Sequence, residues 1–491
     1  MKQESELYDV MVLGFGLGGL VAATRLLKEH HTVILLKEKK HHLSCQADGY
    51  RFLPFSNFSE RLIKRALLER VSKELGFPLL MSDRGEDRQG ETKWKKPKQK
   101  VAFQVILPKA RIDLFSQRSM LQRELKREFP NEVGPIEDFY DEMERLQHLL
   151  KEEKAKERLE SVFPIERRSW IKKWWPFAPL PKGKMEERLA PFSKEFREFI
   201  RLQMISWANL RPDRFPITLA NYLLCHGEPD EEILEIDLEG LKERILGRFV
   251  QAGGRIEEVE GVERAERGWR KGFTLSLRGD GGAVRSKFLI INSPLQHLSN
   301  LLGRKARLLL KWRERIQPRY LLLPLFLGVR EKIVPVGMEN LLVSILDLNK
   351  PYEGGNLLFL SLSQKGDETE APEGRRALIV ESLMSPEKWD SDLFAEHQKG
   401  VMAHLYHLFP FLEGYIELTN WDWAREQCSC WSYPHFIYET HDDFQWREGI
   451  VPHRISKNFY FIGKENFPHL GIEGEVLSGL IVAKEILEKY S

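Results

Sequence analysis

Gly14-Phe15-Gly16-Leu17-Gly18-Gly19 is a G-x-G-x-x-G motif that directly follows a short apolar run, Tyr8–Leu13. The apolar spacing of a helix begins at Gly19, and Thr32–Leu36 then has the composition of a second strand. A strand, a glycine loop, a helix and a strand within about thirty residues predict a βαβ unit that holds a pyrophosphate at the N-terminus of its helix. The alternative interpretation is a glycine-rich turn that holds no ligand.

Two later regions of the chain have patterns that fit the same sheet. Residues 238–302 contain a helical stretch and then two strand patterns, Phe273–Leu277 and Phe288–Ile291. Near the C-terminus, the strand pattern Phe459–Ile462 precedes a glycine-spaced loop and a helix that is predicted to begin at about Val476. We therefore expect strands from the beginning, the middle and the end of the chain to form one sheet.

The 491 residues are enough for two or three domains. We assign the three regions of the expected sheet to a dinucleotide-binding domain and the intervening regions to a second, substrate-facing domain. The predicted order along the chain is dinucleotide-binding 1–80, substrate 81–226, dinucleotide-binding 227–302, substrate 303–449 and dinucleotide-binding 450–491.

Composition and charge exclude several classes of protein. Lys and Arg number 75 against 73 Asp and Glu, so the net charge of +2 gives no argument for nucleic acid as a partner. The four cysteines are too few for the disulfide framework of a secreted protein, and no apolar run approaches the roughly 20 residues that span a bilayer. Because the N-terminus also lacks a signal-peptide pattern, we expect a cytoplasmic protein. The oligomeric state stays open.

Segments along nearly the whole chain carry a family resemblance. Together they resemble bacterial phytoene desaturases and their relatives, the carotenoid isomerases and retinol saturases of the amine oxidase superfamily. The resemblance implies an α/β fold, with a Rossmann-like FAD-binding domain of the glutathione-reductase type and a second, mixed α+β substrate domain. The segments are Val12–Ala23, Asp48–Phe52, Ile290–Pro294, Ala371–Gly374, Asn458–Gly463 and Leu477–Gly479.

The resemblance also implies a cofactor, a substrate and a set of contact residues. FAD would lie extended from the first βαβ unit to the C-terminal motif, and the flavin would act on a long apolar, isoprenoid-like or lipid substrate. Since the flavin supplies the hydride chemistry, no catalytic side chain is assigned. The positions matched to cofactor contacts are Gly14, Gly16, Leu17, Gly18, Gly19, Lys37, Glu38, Ser44, Gly463, Lys464, Gly471 and Ile472.

Four of the cofactor-facing places depart from the family's pattern. Lys37 stands where the family has a Glu that accepts from the adenosine ribose, and Glu38 reaches that place only through a register shift or bulge. Leu43-Ser44 replaces a glycine pair and Leu53–Ser56 replaces acidic and glycine positions. Lys464 replaces an Asp that accepts from the ribityl chain. We therefore expect FAD binding to be weak or absent.

These departures leave several interpretations open. The cofactor is held differently, with Lys464 neutralising the pyrophosphate, or Lys37 binds a 2′-phosphate and the cofactor is NADP. Otherwise the chain is a non-catalytic homologue that has lost flavin and serves as a lipid- or protein-binding subunit. The sequence favours an FAD-dependent oxidoreductase as the first hypothesis, because the glycines of the phosphate-binding motif are intact.

Other features have both a functional and an ordinary interpretation. The segment Trp170–Phe177 and the cations before it interleave charges with aromatics, which is typical of a peripheral membrane contact or of tryptophans packed on the domain. Cys428 and Cys430 lack the spacing of a metal site, so no metal is predicted. A dense aromatic set either lines an apolar substrate tunnel or fills the core, and comprises Trp421, Trp423, Trp431, Tyr433 and Phe436.

Overall fold

The computed structural model describes residues 7–39, 45–52, 58, 61–79, 101–115, 117–156, 183–224, 233–267, 272–278, 282–295, 298, 314–388, 393–423, 436–440 and 449–490. The strands are β1 (Leu7–Leu13), β2 (Val33–Glu38), β3 (Cys45–Ala47), β4 (Tyr50–Phe52), β5 (Leu62–Lys64), β6 (Val101–Leu107), β7 (Ala110–Phe115), β8 (Ile233–Glu235), β9 (Arg255–Val259), β10 (Val262–Arg267), β11 (Phe273–Leu277), β12 (Ala283–Asn292), β13 (Ile316–Arg330), β14 (Leu341–Ile345), β15 (Leu357–Leu362), β16 (Arg375–Met384), β17 (Ile416–Asn420), β18 (Phe436–Thr440), β19 (Arg454–Ser456) and β20 (Phe459–Ile462). The helices are α1 (Leu17–Lys28), α2 (Arg65–Leu75), α3 (Arg118–Glu128), α4 (Val133–Lys156), α5 (Met185–Leu189), α6 (Lys194–Trp207), α7 (Ile217–Leu224), α8 (Leu238–Gln251), α9 (Leu393–Leu408) and α10 (Gly471–Leu487).

The first sheet joins strands that are far apart in the chain. Strands β9, β2, β1, β12 and β20 are parallel neighbours in that order. Strands β10 and β11 extend the sheet as an antiparallel meander on β12, and β19 pairs with β20. The prediction that Val10–Leu13 and Phe459–Ile462 lie in one sheet is therefore confirmed, with β12 between them.

Both faces of this sheet are covered, which explains its nearly continuous apolar strands. On one face Val10 and Val12 pack in a cluster with residues of α1, α8 and α10. On the other face Met11 and Leu13 belong to a larger cluster that also contains Phe326 and Phe359 of the second sheet. One continuous core therefore connects the two sheets.

The second sheet has the order β17, β13, β16, β15, β14, β6 and β7, and β18 also pairs with β13. Only the β14–β6 pair is parallel among these described strands. Helix α9 covers one face through Val401 and Leu405, which pack with Leu325 and Leu360. No described helix is long and apolar enough to cross a membrane.

One element begins earlier than its pattern predicted. Helix α10 starts at Gly471 rather than near Val476, so the expected loop through Gly471 and Gly474 is the first turn of the helix. Gly474 packs against the preceding chain, where an added Cβ would lie 2.5 Å from the carbonyl oxygen of Phe467. The glycines of this segment allow close packing of a helix instead of marking a loop.

Candidate functional site

The loop Gly14–Gly19, called the dinucleotide loop below, connects β1 to α1 at the carboxyl edge of the first sheet. Gly14 has φ +111°, and a Cβ there would lie 1.9 Å from the carbonyl oxygen of Asn292 at the end of β12. A side chain is therefore excluded at Gly14 by both conformation and space. The structure therefore contains the strand, the glycine loop and the helix that the sequence predicted.

Two amides of this loop are bonded to side chains of the chain itself. The backbone N–H of Gly18 donates to Glu475 Oε1 across 3.2 Å, and that of Gly19 donates to Asn292 Oδ1 across 3.0 Å. Both belong to the first turn of α1, whose amides have no partner within the helix and usually bind a cap or an anion. In this chain they bind a carboxylate from α10 and an amide oxygen from β12.

The same two side chains fill the space that the second glycine of the motif leaves open. A Cβ on Gly16 would lie 2.2 Å from Glu475 Oε1 and 2.4 Å from Asn292 Oδ1. Asn292 is buried, and its Nδ2 donates to the carbonyl oxygen of Ile462 across 3.1 Å and to Glu475 Oε1 across 3.3 Å. A phosphate oxygen that accepted from Gly18 would occupy the position of this carboxylate.

Lys464 lies near the same carboxylate. Burial lowers the pKa of Lys464 to about 8, while the charges of Glu475 and Glu465 act to raise it. Its neighbour Glu465 is buried, and burial raises the pKa of this carboxyl group. The positive charge that was expected to neutralise a pyrophosphate therefore already has two acidic neighbours.

The ribose end of the expected site is occupied by a paired ammonium group. Lys37 Nζ lies 3.2 Å from Glu258 Oε1 on β9 and 5.1 Å from the centre of the Phe15 ring. The β2–β9 register is regular up to the pair Glu38 and Val259, so the bulge that would bring Glu38 to this face is not formed. Glu38 is 6 % exposed and lies on the opposite side of the strand from Lys37.

The remaining predicted contact positions have structural partners or lie outside the described residues. The N–H of Gly463 donates to Asn466 Oδ1 across 2.8 Å, which shapes the turn after β20. Gly471, with φ +53°, and Ile472 begin α10, and both are buried. Ser44, its neighbour Leu43 and residues 53–56 lie outside the described residues, as do Trp170–Phe177, Cys428 and Cys430.

The aromatic residues after β17 pack in two separate places. Trp423 contacts Phe52 and Phe326, with ring centres 5.9 and 5.6 Å apart, whereas Trp421 lies 6.0 Å from Phe394. These contacts fill the core, and Trp431 and Tyr433 lie outside the described residues. Within the described ranges, no group of three or more His, Cys, Asp or Glu is arranged to hold a metal ion.

Two of the contacts expected for an extended FAD are made here by other groups or lack an acceptor. Its pyrophosphate would need the Gly18 amide that Glu475 holds, and its ribose would meet an ammonium that has no acceptor. Glu475 was missed at the sequence level because it lies 457 residues from Gly18. The one signal was a charged residue between Gly474 and the apolar run Val476-Leu477.

Comparisons with known proteins bear on this site. The family model of flavin containing amine oxidoreductases matches residues 239–487, just over half of the chain. No curated protein sequence matches the chain. Solved structures are similar across nearly the whole chain, and they confirm the predicted fold class of an α/β dinucleotide-binding domain with a second mixed domain.

Three of these structures illustrate the range of proteins that share this fold. An oxidoreductase from Methanosarcina mazei is 15% identical with a TM-score of 0.60, over 97% of this chain and 100% of that chain. A putrescine oxidase bound to putrescine is 14% identical with a TM-score of 0.61, over 98% and 99%. A protein described as RAB GDI from Plasmodium falciparum is 12% identical with a TM-score of 0.53, over 99% and 98%. At these identities the likeness shows the fold alone.

Proposed function

The chain belongs to the flavin containing amine oxidoreductases, and we propose that it keeps the fold of this family but does not bind its flavin. In this proposal the protein is a non-catalytic homologue that serves as a lipid- or protein-binding subunit. Fold and chemistry are separable, because one architecture hosts many functions.

The observation that carries the proposal is the bonding of the Gly18 and Gly19 amides to Glu475 and Asn292. A pyrophosphate that replaced these bonds would lie beside the Glu475 carboxylate, and the two are both negatively charged. At an effective dielectric constant of about 20, like unit charges about 4 Å apart repel by on the order of 4 kcal/mol. That repulsion is large compared with one hydrogen bond to a backbone amide.

The two lysines at the other cofactor positions support the same proposal. An ammonium has three donors and no acceptor, so Lys37 and Lys464 cannot accept hydrogen bonds from ribose or ribityl hydroxyls. Each missing charge-assisted hydrogen bond corresponds to about 1.5–3 kcal/mol. Two such losses together weaken the affinity for FAD by roughly a hundredfold or more.

The second candidate is a flavin-dependent oxidoreductase that acts on a long apolar, isoprenoid-like or lipid substrate, as phytoene desaturases do. The observation that favours it is the intact dinucleotide loop, with Gly14 in a conformation that only glycine adopts readily. In this candidate the Glu475 side chain turns away and Lys464 faces the pyrophosphate. Its substrate would be a lipophilic small molecule.

The colour and flavin content of the purified protein separate the two candidates. We expect a colourless protein that releases no flavin on denaturation and shows no heat of binding when FAD is added. A yellow protein that releases about one FAD per chain would overturn the proposal in favour of the oxidoreductase. Bound lipid, extracted from the same colourless sample, would identify the ligand class of a binding subunit.

A membrane surface is the partner that we propose for the segment Trp170–Phe177, which lies between α4 and α5 in the chain. The support is its composition alone, in which Lys172 and Lys173 stand between tryptophans. Such a contact would hold a cytoplasmic protein at the membrane face and bring it close to lipophilic molecules.

A further inference from the structure

We propose that Glu475 is a built-in replacement for a nucleotide diphosphate, and that the dinucleotide loop becomes an anion site when this carboxylate is removed. The inference rests on the proposed function, because it explains how a chain of this fold does without its cofactor. It goes further by assigning the exclusion to one side chain and by naming the ligand class of the latent site.

The packing of two helices fixes where this side chain begins. A Cβ on Gly18 would lie 2.3 Å from the carbonyl oxygen of Glu475, and a Cβ on Gly479 would lie 2.2 Å from the carbonyl oxygen of Gly18. Backbone therefore meets backbone where α1 crosses α10. The Glu475 side chain starts within reach of the dinucleotide loop and needs no rearrangement of the fold to reach it.

One oxygen of the carboxylate is held by two donors. Glu475 Oε1 accepts from the backbone N–H of Gly18 and from Asn292 Nδ2, and the Asn292 Oδ1 in turn accepts from Gly19. A negative group at this end of α1 is favoured by the unpaired amides and by the helix dipole. The carboxylate therefore satisfies the helix N-terminus as a phosphate oxygen would.

Lys464 supplies the counter-charge. Glu475 and Glu465 both act to raise its pKa, so their carboxylates lie within electrostatic reach of the ammonium group. Removing the Glu475 carboxylate would free the Gly18 amide and the space beside Gly16, and the Lys464 charge would remain within electrostatic reach of the position that the carboxylate had filled. Amides at a helix N-terminus together with a cation form the donor set that binds phosphate.

The variants Glu475→Ala and Glu475→Gln test the inference, with Glu485→Ala as the matched control. Alanine removes the side chain that fills the space, whereas glutamine removes only the charge. Glu485 is a partly buried glutamate on the same helix, but it lies away from the loop, near Lys489 and Arg454. Each protein is titrated with ADP, inorganic pyrophosphate and FAD by calorimetry at one fixed salt concentration.

We expect no detectable binding of ADP or pyrophosphate to the wild type or to Glu485→Ala, and binding to Glu475→Ala at least about tenfold tighter than the weakest affinity that the titration detects. Glu475→Gln should bind more weakly than Glu475→Ala, because its amide still fills the space beside Gly16. Thermal unfolding gives a second readout: Glu475→Ala should melt below the wild type without ligand and recover when ADP is added.

Failure of this inference and failure of the proposed function are distinguishable. If both Glu475 variants fold and neither binds ADP or pyrophosphate, while the wild type stays free of flavin, then the inference is overturned and the proposed function stands. If the wild type binds ADP as tightly as Glu475→Ala but stays free of flavin, then only the inference fails, whereas binding of FAD to the wild type overturns both. Should Glu475→Ala not fold, binding of pyrophosphate to Glu475→Gln decides the question.

Discussion

Tyr438 donates its hydroxyl hydrogen to Glu465 Oε1 across 3.0 Å, and this bond joins β18 of the second sheet to the turn after β20 of the first. The backbone N–H of Leu295 donates to the same oxygen across 3.0 Å. Both side chains are buried. Burial raises the pKa of Glu465, whereas the bonds from Leu295 and Tyr438 and the charge of Lys464 oppose that rise.

We predict that Tyr438→Phe lowers the free energy of unfolding by about 1–3 kcal/mol, because it removes a donor from a buried carboxyl group. Urea unfolding followed by circular dichroism measures the change. Tyr406→Phe is the matched control, since Tyr406 is 39 % exposed and the same atom is removed there. Equal stability of Tyr438→Phe and the wild type would show that the bond does not join the two sheets energetically.

Much of the first sheet could be predicted because its signals are local. The strands Phe273–Leu277 and Phe459–Ile462 have the bounds that their apolar runs indicated. The start of α10 could not be predicted, because glycine at 471 and 474 is locally a loop signal. Gly474 is instead a packing residue, because it lies against Phe467.

Acid should weaken the protein through the buried imidazole of His404. Burial lowers the pKa of His404 to about 4, although the bond from its Nδ1–H to the carbonyl oxygen of Gly355 acts to raise it. Nε2 then accepts from the hydroxyl of Ser344 across 2.8 Å. Because the folded pKa is below the unfolded value of 6.5, the unfolded chain takes up the proton first. The contribution of His404 to stability is therefore fully present above pH 6.5 and is lost as the pH falls towards 4.

We predict that His404→Gln, which cannot titrate, loses about 2 kcal/mol less than the wild type between pH 6.5 and 4.5. Urea unfolding at a series of pH values measures the difference in slope. A slope remains in the variant because burial also lowers the pKa of His453 to about 4. The exposed His148 provides the control, and His148→Gln should follow the wild type. Parallel curves for His404→Gln and the wild type would contradict the prediction.

A rise in pH from about 4.5 should weaken the protein through Glu381 of β16. Its carboxyl group is 0 % exposed, and neither oxygen has a hydrogen-bond partner among the described residues. Burial raises its pKa well above 4.5, and the charge of Arg61 opposes the rise only in part. The folded chain therefore keeps this proton after the unfolded chain has lost it, and the contribution of Glu381 to stability falls as the pH rises above 4.5.

Glu381→Gln should remove this loss, so its stability relative to the wild type should increase with pH by up to about 1.4 kcal/mol per unit above pH 4.5. Unfolding at pH 5, 6, 7 and 8 tests the trend, with the exposed Glu413→Gln as control. A constant difference between Glu381→Gln and the wild type across this series would mean that the carboxyl group is not neutral in the folded protein.

The candidate site was predictable only in part. The glycines of the dinucleotide loop predict where the site lies, because a tight turn between strand and helix needs glycine at fixed spacing. Its occupant is not predictable from local pattern, since Glu475 and Gly18 are 457 positions apart. The partner of Lys37 could not be predicted for the same reason: Glu258 lies on a strand 221 positions later in the chain. Such pairs follow from sheet order and helix packing.

Membrane contact through Trp170–Phe177 can be tested without structural detail of that segment. We predict that changing Trp170, Trp174 and Trp175 to Ala lowers co-sedimentation with anionic liposomes at least severalfold, because the aromatic rings supply interfacial affinity. Changing the buried core residue Trp207 would be a poor control, so Trp94→Ala in another charged stretch is used instead. Equal sedimentation of the folded triple variant and the wild type would remove the proposed contact.

The pair of Lys37 and Glu258 gives a charge-swap test of the ribose position. Lys37→Glu alone places two carboxylates on neighbouring strands, and like charges there are destabilising by about 0.2–1 kcal/mol. The double change Lys37→Glu with Glu258→Lys restores the ion pair in reverse, so we predict that it recovers most of the stability lost by the single change. The side chains are 26 % and 57 % exposed, which keeps the expected effect small.

The same swap should act on nucleotide binding once the Glu475 carboxylate is gone. A carboxylate at position 37 can accept from both ribose hydroxyls, whereas the native ammonium can only donate. We therefore predict that the swap in the Glu475→Ala background binds ADP about tenfold tighter than Glu475→Ala alone, a change of about 1.4 kcal/mol. Inorganic pyrophosphate, which has no ribose, is the internal control, and the swap should leave its affinity unchanged. Equal ADP affinity with and without the swap would place the ribose away from the end of β2.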